Sequence, residues 1–210
     1  MKAASRLHPR LIVITDTTVA PEGLLEERVE RLLAQVRPGT VLVQLRDLHL
    51  PFPTRRALGE RLMTLCHRHQ AWFSVNDRVD LAVVLGADGV HLGERGVSPV
   101  DVRTLLPRAF VSHACHVVDQ VPDAASNAAL LSPVLAPRKG AAALGLKSLR
   151  DARNALDVRD SSVSLYALGG VDATNAAECL SSGATGVAVI GAALDGRDPT
   201  PLVHALGIGG

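Results

Sequence analysis

The chain has 210 residues, a formal net charge of +1, and 47% hydrophobic but only 2% aromatic residues. This length allows a single α/β domain with a sizeable core and lies near the lower limit for a full eight-unit barrel. The balanced charge, without a run of Lys or Arg, argues against a nucleic-acid partner. The scarcity of aromatic side chains argues against a surface on which single-stranded nucleic acid stacks.

Cysteine spacing and hydropathy exclude several other classes of protein. The cysteines are far apart, odd in number and form no Cys-x-x-Cys pair, which argues against both a disulfide framework and a cysteine zinc site; they are Cys66, Cys115 and Cys179. The apolar run after the basic start is too short for a signal peptide, and no apolar stretch approaches the length of a membrane span. We therefore expect a cytoplasmic protein with no membrane partner.

Short apolar runs alternate along the chain with longer amphipathic segments. Most of the runs lack polar alternation, as expected for parallel strands that are covered on both faces. The predicted strands are residues 11–15, 41–45, 71–75, 89–92, 110–112, 130–135, 163–168 and 187–190.

Helical periodicity and capping residues predict the segments between the strands. Ser98 and Pro99 form an N-cap followed by proline at the first helical position, and Asp172 and Gly183 are expected to begin and end a later helix. The predicted helices are residues 22–35, 54–68, 77–85, 98–106, 117–121, 147–155, 172–182 and 201–206.

Eight strand–helix units predict a single-domain (β/α)₈ TIM barrel over residues 1–210, with residues 1–10 and 207–210 flexible. An internal echo supports a barrel, because residues 85–93 resemble residues 182–191, half a barrel further on. A doubly wound open sheet would give the same local pattern and stays an alternative.

Glycines follow the last two predicted strands directly before helical segments. They are Gly169 and Gly170 after strand seven and Gly191 after strand eight. Glycine lets backbone N–H groups approach an anion, a helix N-terminus adds a favourable dipole, and phosphate sites at this place recur in barrels. We predict a phosphate site here; the alternative is that the glycines only form tight turns.

Polar residues at the ends of strands two to four are candidates for ligand binding. Gln44 and Arg46 project to the same side, so Arg46 is expected to meet a phosphate or carboxylate, unless it pairs with a neighbouring carboxylate such as that of Asp47. Asn76 could donate a hydrogen bond to a ligand. Asp77 could bind a metal or cap the next helix, and His91 could contact substrate or fill the barrel.

Strand five and the loop after strand six carry further candidates. His113 and His116 lack a third ligand at zinc spacing, which favours hydrogen bonding or acid–base chemistry for one of them. Arg138 and Lys139 form a cationic pair that could clamp a phosphate or simply be solvated.

Eight short segments of the chain, taken in their order along the sequence, resemble the thiamine phosphate synthase and TenI family. The resemblance extends over about residues 11–194. The resemblance implies a (β/α)₈ fold and a role in thiamine biosynthesis. Family synthases join an aminopyrimidine diphosphate to a thiazole phosphate with Mg²⁺, whereas TenI-type proteins tautomerise a thiazole carboxylate phosphate without a metal. Family analogy also implies a homo-oligomer. The segments that carry the resemblance are residues 14–16, 43–46, 76–82, 86–93, 133–134, 144–146, 167–170 and 183–189.

The resemblance also implies roles for individual residues. Gln44 and Arg46 would face the pyrimidine diphosphate with Asn76 beside it, and Asp77 would bind Mg²⁺. The three glycines would cradle the thiazole phosphate. The candidate catalytic residues are His116, which aligns with a family histidine, His113, and Lys139, which would contact the diphosphate.

Departures from the family pattern concentrate at the diphosphate half of the site. Leu48 stands where synthases usually have Lys, and Gly96 where they have a second metal-binding Asp. Gly191 replaces a usual Ser, and Pro133 replaces a histidine of some TenI proteins. Since charge neutralisation helps a diphosphate to leave, Leu48 and Gly96 count against an efficient synthase, whereas Pro133 is a departure from the TenI pattern. The sequence leaves open a transferase, a tautomerase, or a non-catalytic phosphate-ligand binding or regulatory protein on the same fold.

Overall fold

The computed structural model describes residues 9–118, 125–138 and 140–210. Eight parallel strands follow one another around a closed barrel, and the last strand pairs with the first. This closure confirms the (β/α)₈ barrel and excludes the doubly wound sheet. The strands are β1 (Leu11–Ile14), β2 (Val41–Leu45), β3 (Trp72–Asn76), β4 (Gly89–Leu92), β5 (Phe110–Cys115), β6 (Ala128–Leu131), β7 (Ser164–Leu168) and β8 (Gly186–Val189).

Helices surround the barrel, and none of those in the described segments combines the length and apolarity that crossing a membrane requires. The helix predicted at residues 117–121 ends outside the described residues. The described helices are α1 (Glu22–Leu33), α2 (Phe52–Arg68), α3 (Val79–Leu85), α4 (Pro99–Leu105), α5 (Gly145–Val158), α6 (Ala176–Ser181), α7 (Gly191–Leu194) and α8 (Thr200–Ala205).

Strand alternation divides the buried side chains into two layers. Successive residues of a strand point to opposite faces, so Val13 packs with the helices while Ile12 and Ile14 fill the barrel interior. Leu42 and Tyr166 are also interior residues. The interior is therefore a packed core, and space for a ligand opens only at its ends.

Some element bounds differ from the sequence prediction for local reasons. β5 runs to Cys115 because its last residues pair with Leu130 and Leu131 of β6. Helix α6 has Asn175 rather than Asp172 as its N-cap. Asp172 instead accepts hydrogen bonds from the backbone and hydroxyl of Thr174 (2.8 and 2.6 Å), which closes a separate turn before the helix.

The C-terminal tail does not behave as predicted. Ile208 is fully buried, and its carbonyl accepts a hydrogen bond from the Arg37 N–H (2.8 Å). Gly209 forms an antiparallel bridge with Val36, and the Gly210 N–H donates to the Gln35 carbonyl (3.0 Å). The expectation of a flexible tail at residues 207–210 is therefore wrong, because the segment after α1 supplies partners that the tail sequence does not reveal.

The docked tail predicts a measurable loss of stability on truncating its buried side chain. Ile208→Ala is expected to lower the free energy of unfolding by about 3 kcal/mol, since it leaves a cavity in a packed site. Val158→Ala is the control, because Val158 is 88% exposed and its loss should cost less than about 0.5 kcal/mol. Urea unfolding measures both; equal stabilities of the two variants would contradict the docking.

Candidate functional site

A cavity of about 370 Å³ lies at the carboxyl ends of the strands. Because the strands are parallel and the barrel is closed, these ends meet on one rim. Six of the site residues predicted from the sequence line this cavity, and they come from the ends of four different strands. They are Gln44, Arg46, Asn76, Asp77, His91 and His116. Their roles stay predictions, but the fold brings them to one place.

A chain of hydrogen bonds joins the polar groups that follow β2 and β3. Gln44 Nε2 donates to Asn76 Oδ1 (3.2 Å), and Asn76 Nδ2 donates to Asp77 Oδ2 (2.8 Å). The backbone N–H of Gly93 donates to Asp77 Oδ1 (2.7 Å). Gln44 Oε1 is buried without a hydrogen-bond partner in the described chain, so the site offers one unused acceptor.

Asp77 is the one carboxylate among the described residues that line this cavity. It does not cap α3, whose N-cap is Arg78, so the capping alternative is wrong. A Cβ added at Gly96 would lie 3.4 Å from Asp77 Oδ1, which places a second carboxylate within reach if one were present. In the described segments no three His, Cys, Asp or Glu side chains group as a metal site would. Asp77 as a metal ligand stays a prediction.

Arg46 brings a positive charge to the cavity, and this charge is close enough to the Asp16 carboxylate to interact with it. Asp47 is buried and accepts hydrogen bonds from the Thr15 hydroxyl and the Thr17 backbone instead. Within the described part of the chain, no carboxylate lies within ion-pair distance of the Arg46 guanidinium, so the proposed pairing with Asp47 is not formed. The planar fork of N–H donors on Arg46 suits an anionic ligand.

His91 is buried at the end of β4, and its Nδ1 lies 2.9 Å from the Ser112 hydroxyl. Burial lowers the pKa of His91 to about 4, with a smaller opposing effect from the charge of Asp77. The ring is therefore neutral near pH 7. The geometry is compatible with both roles predicted for His91, contact with a substrate and filling of the barrel, because the ring lines the cavity and also lies within hydrogen-bond distance of Ser112 inside the barrel.

His116 is held in one orientation by the residue after β6. Its Nδ1 lies 2.6 Å from the Ser132 carbonyl oxygen and 3.2 Å from the Ser132 hydroxyl. Since a carbonyl only accepts, Nδ1 carries the proton, and Nε2 of the neutral ring is free to accept one. His116 thus has the form of a general base at the cavity wall.

His113 does not reach the cavity. It alternates on β5 with Ser112 and Ala114, which face the interior, so its own side chain lies on the helix side of the strand. Its Nδ1 is buried without a partner in the described residues, and burial lowers its pKa. Because adjacent residues of a strand point to opposite faces, His113 points away from the barrel interior, and the geometry does not support a catalytic role for it.

A second cavity of about 340 Å³ adjoins the first and is lined by Gly169, Gly170 and Gly191. The carbonyl of Gly169 accepts from Leu135 N (2.8 Å) and that of Gly170 from Asn175 Nδ2 (3.0 Å). In the described chain neither glycine N–H has a hydrogen-bond partner. Such free donors in a glycine turn suit a phosphate.

Gly170 and Gly191 differ in what a side chain would meet. Gly170 has φ +76°, and a Cβ there would lie 2.6 Å from Ala136 Cβ. A Cβ at Gly191 would have no atom within 4 Å. Gly170 is therefore required by its backbone conformation, whereas a side chain at Gly191 would enter open space.

Sequence reasoning missed the two residues that orient the histidines. Ser112 and Ser132 carry no motif of their own; only strand parity and the β5–β6 pairing place them beside His91 and His116. Lys139 lies outside the described residues. Its neighbour Arg138 lines both cavities.

A family model described as thiamine monophosphate synthase matches residues 11–193. The chain belongs to this family. It is 34% identical to the thiamine-phosphate synthase of Thermus thermophilus, over 90% of this chain and 92% of that protein. It is 35% identical to the thiamine-phosphate synthase of Synechococcus sp., over 94% of this chain.

The fold agrees with that membership. The thiamine phosphate pyrophosphorylase from Pyrococcus furiosus superposes with a TM-score of 0.82 and 26% identity, over 96% of this chain and 97% of that one. Some of the matching curated relatives are longer than this chain. The chain covers 56% of the length of the Synechococcus protein and 54% of the length of the thiamine-phosphate synthase of Gloeobacter violaceus. The family resemblance read from the motifs is confirmed.

The depressed pKa of His91 predicts a pH-dependent stability for this family member. The unfolded state binds the proton more tightly, so stability is full above about pH 6.5 and declines as the pH falls towards 4, by about 3 kcal/mol at most. His91→Gln is expected to flatten this slope, and His204→Gln, at an exposed position, to retain it. Unfolding free energies at pH 7, 6, 5 and 4 measure the effect; an unchanged slope in His91→Gln would contradict it.

The two glycines of the second cavity predict opposite responses. Gly170→Ala is expected to cost about 1–3 kcal/mol of stability and to weaken phosphate binding, because of its left-handed backbone and the contact with Ala136. Gly191→Ser is expected to leave stability unchanged and to tighten inorganic phosphate binding about tenfold through an added hydroxyl donor.

Isothermal titration with inorganic phosphate tests both variants, and Gly191→Ala is the control, which fills the same space without a donor. Weaker phosphate binding by Gly191→Ser than by Gly191→Ala would show that the anion does not occupy this cavity.

Proposed function

We propose that this chain is a thiamine phosphate synthase-type transferase that joins an aminopyrimidine diphosphate to thiazole phosphate and releases pyrophosphate. The observation that carries the proposal is the pair of adjoining cavities, each with unused anion-binding groups. A transferase must hold two phosphorylated molecules side by side, whereas a tautomerase needs to hold one. The relatives described as thiamine-phosphate synthases support the same reaction.

The second cavity suits the thiazole phosphate. The unpartnered N–H groups of Gly169 and Gly170 provide neutral donors that approach phosphate oxygens closely. Gly191 opens α7 and leaves room for the same phosphate. The thiazole ring would then point towards the first cavity across Leu168 and Ile190, which line both.

The first cavity suits the aminopyrimidine diphosphate. The unused acceptor Gln44 Oε1 matches the amino group of the ring, which can donate a hydrogen bond. Arg46 and Arg138 supply positive charge for the diphosphate. When the diphosphate leaves, negative charge builds up on it, and these guanidinium groups stabilise that charge.

Mg²⁺, where a family synthase uses it, neutralises the diphosphate. The described residues offer it Asp77 alone, so a bound ion would take most of its ligands from the diphosphate and water. Among the groups of this chain, the arginines therefore stabilise the charge of the leaving diphosphate.

His116 favours a second candidate, a thiazole tautomerase of the TenI type. Its proton sits on Nδ1 towards the Ser132 carbonyl (2.6 Å), which leaves Nε2 to remove a proton from a ligand. Such a proton shift needs neither a diphosphate site nor a metal, and it tolerates Leu48 and Gly96. A homo-oligomer, the cytoplasmic location and contact of Lys139 with the diphosphate stay predictions under either reaction.

Two variants separate the reactions. Arg46→Ala is expected to lower kcat/KM for thiamine phosphate formation at least 100-fold, because it removes charge stabilisation at the leaving group. His116→Asn is expected to lower it less than tenfold but to abolish any tautomerisation. The measurements are pyrophosphate release from the two substrates, with and without Mg²⁺, and tautomer formation from thiazole carboxylate phosphate alone.

Arg56→Ala, on the exposed surface of α2, controls for loss of one positive charge. Tautomer formation without any pyrophosphate release by the wild type would replace the proposal by the second candidate. If neither reaction occurs although thiazole phosphate binds, the chain is a phosphate-ligand binding protein.

A further inference from the structure

Among the residues that the structure describes, three line both cavities, and one of these three is charged. Leu168 and Ile190, at the ends of β7 and β8, are apolar parts of the shared wall. Arg138, in the loop after β6, is the third. A cation on a wall between two anion sites can interact with the contents of both.

The backbone of Arg138 is already used, so its side chain is what it can offer a ligand. Arg138 N–H donates to the Ala141 carbonyl (3.1 Å), and the Ala141 N–H donates back to the Arg138 carbonyl (2.9 Å). The side chain is half-buried, and in the described segments no carboxylate lies within ion-pair distance of its guanidinium. These two backbone hydrogen bonds hold the main chain of Arg138 in place, and thereby the point from which its unpaired side chain extends.

The other charged groups around the second cavity have partners. Arg197 Nε donates to Asp195 Oδ2 (2.6 Å), which neutralises both. The Asp172 carboxylate accepts from the Thr174 backbone and hydroxyl (2.8 and 2.6 Å). Arg46 is also unpaired but lines the first cavity alone. Arg138 is thus the unengaged cation that the two cavities share among the described residues.

We propose that Arg138 is a positioning residue that couples the two cavities, so that an anion bound in one tightens the binding of an anion in the other. The inference rests on the proposed function, because it takes the cavities as sites for the thiazole phosphate and the diphosphate.

The coupling follows from the chemistry of the guanidinium group. Its five N–H donors lie in one plane, so two anions on different edges can be bonded at once. Binding of the first ligand orders the flexible side chain of Arg138, and the entropy cost of this ordering reduces the affinity of that ligand. The second ligand binds to Arg138 after it is ordered and does not bear this cost, so its affinity is higher. Arg138 also offsets the repulsion between two anions that share a wall. By linkage, each ligand must strengthen the other by the same factor.

Thiazole phosphate and pyrophosphate are suitable probes, because together they lack the pyrimidine and do not react. The experiment measures the Kd of thiazole phosphate by calorimetry without pyrophosphate and at saturating pyrophosphate, and then the reverse. We expect each ligand to tighten the other at least fivefold in the wild type. Arg138→Ala should bring this coupling factor to within twofold of one, and Arg138→Lys should restore part of it, since lysine keeps the charge but not the planar fork.

Controls separate coupling from loss of a site or of the fold. Arg46→Ala should weaken pyrophosphate binding but retain the coupling factor once pyrophosphate saturates. Arg108→Ala, at an exposed position, removes the same charge and should change neither Kd nor coupling. The Tm of Arg138→Ala should match that of the wild type.

The outcomes distinguish this inference from the proposed function. Binding of both ligands without coupling in the wild type, or with the same coupling in Arg138→Ala, overturns the inference and leaves the transferase proposal standing. Mutual exclusion of the two ligands overturns the inference and removes the two-cavity basis of the proposed function. Failure of thiazole phosphate and pyrophosphate to bind at all overturns the proposed function itself.

Discussion

The pairing of β8 with β1 is the constraint on which the rest of this structure depends. Leu11 lies opposite Val187, and Val13 opposite Val189, so the two ends of the sheet join in register. With every strand parallel, closure turns eight separate strand ends into one rim. Polar residues that stand far apart in the chain, such as Gln44 and His116, line a common cavity for this reason. The glycine turns after β7 and β8 adjoin it because their strands close the same ring.

The electrostatics of the rim follow from which groups the barrel lets pair. Buried Asp47 accepts hydrogen bonds from Thr15 and Thr17, and exposed Asp77 accepts them from Gly93 and Asn76, so neither carboxylate is paired with an arginine. Arg46 and Arg138 keep their charge for a ligand, while burial keeps His91 neutral. The free groups of the site thus include cations and neutral donors, which suit a phosphorylated ligand, together with the acceptor Gln44 Oε1.

In this family member, glycine turns after β7 and β8 line the second cavity, and Asp77 is the one carboxylate among the described residues that line the first. Gly169 and Gly170 both have left-handed backbone conformations, and a side chain at either position would make close contacts. Substitution of these glycines would therefore destabilise the fold. At the other half, a Cβ at Gly96 would lie 3.4 Å from Asp77 Oδ1 but only 3.1 Å from the Gly93 carbonyl oxygen, so a side chain there requires a small local shift. Among the described residues, Arg46 and Arg138 line the first cavity, and arginine binds anions through directed hydrogen bonds.

The sequence by itself determined the eight strands, the glycine turns and the polar residues at strand ends, because apolar runs, caps and glycines act over a few neighbouring residues. Tertiary structure alone decided that His116 and not His113 reaches the cavity, since β5 continues to Cys115 only through its pairing with β6. It also decided that Ile208 is buried and that Arg138 stands between two cavities. Those outcomes depend on contacts between distant parts of the chain, which local patterns do not encode.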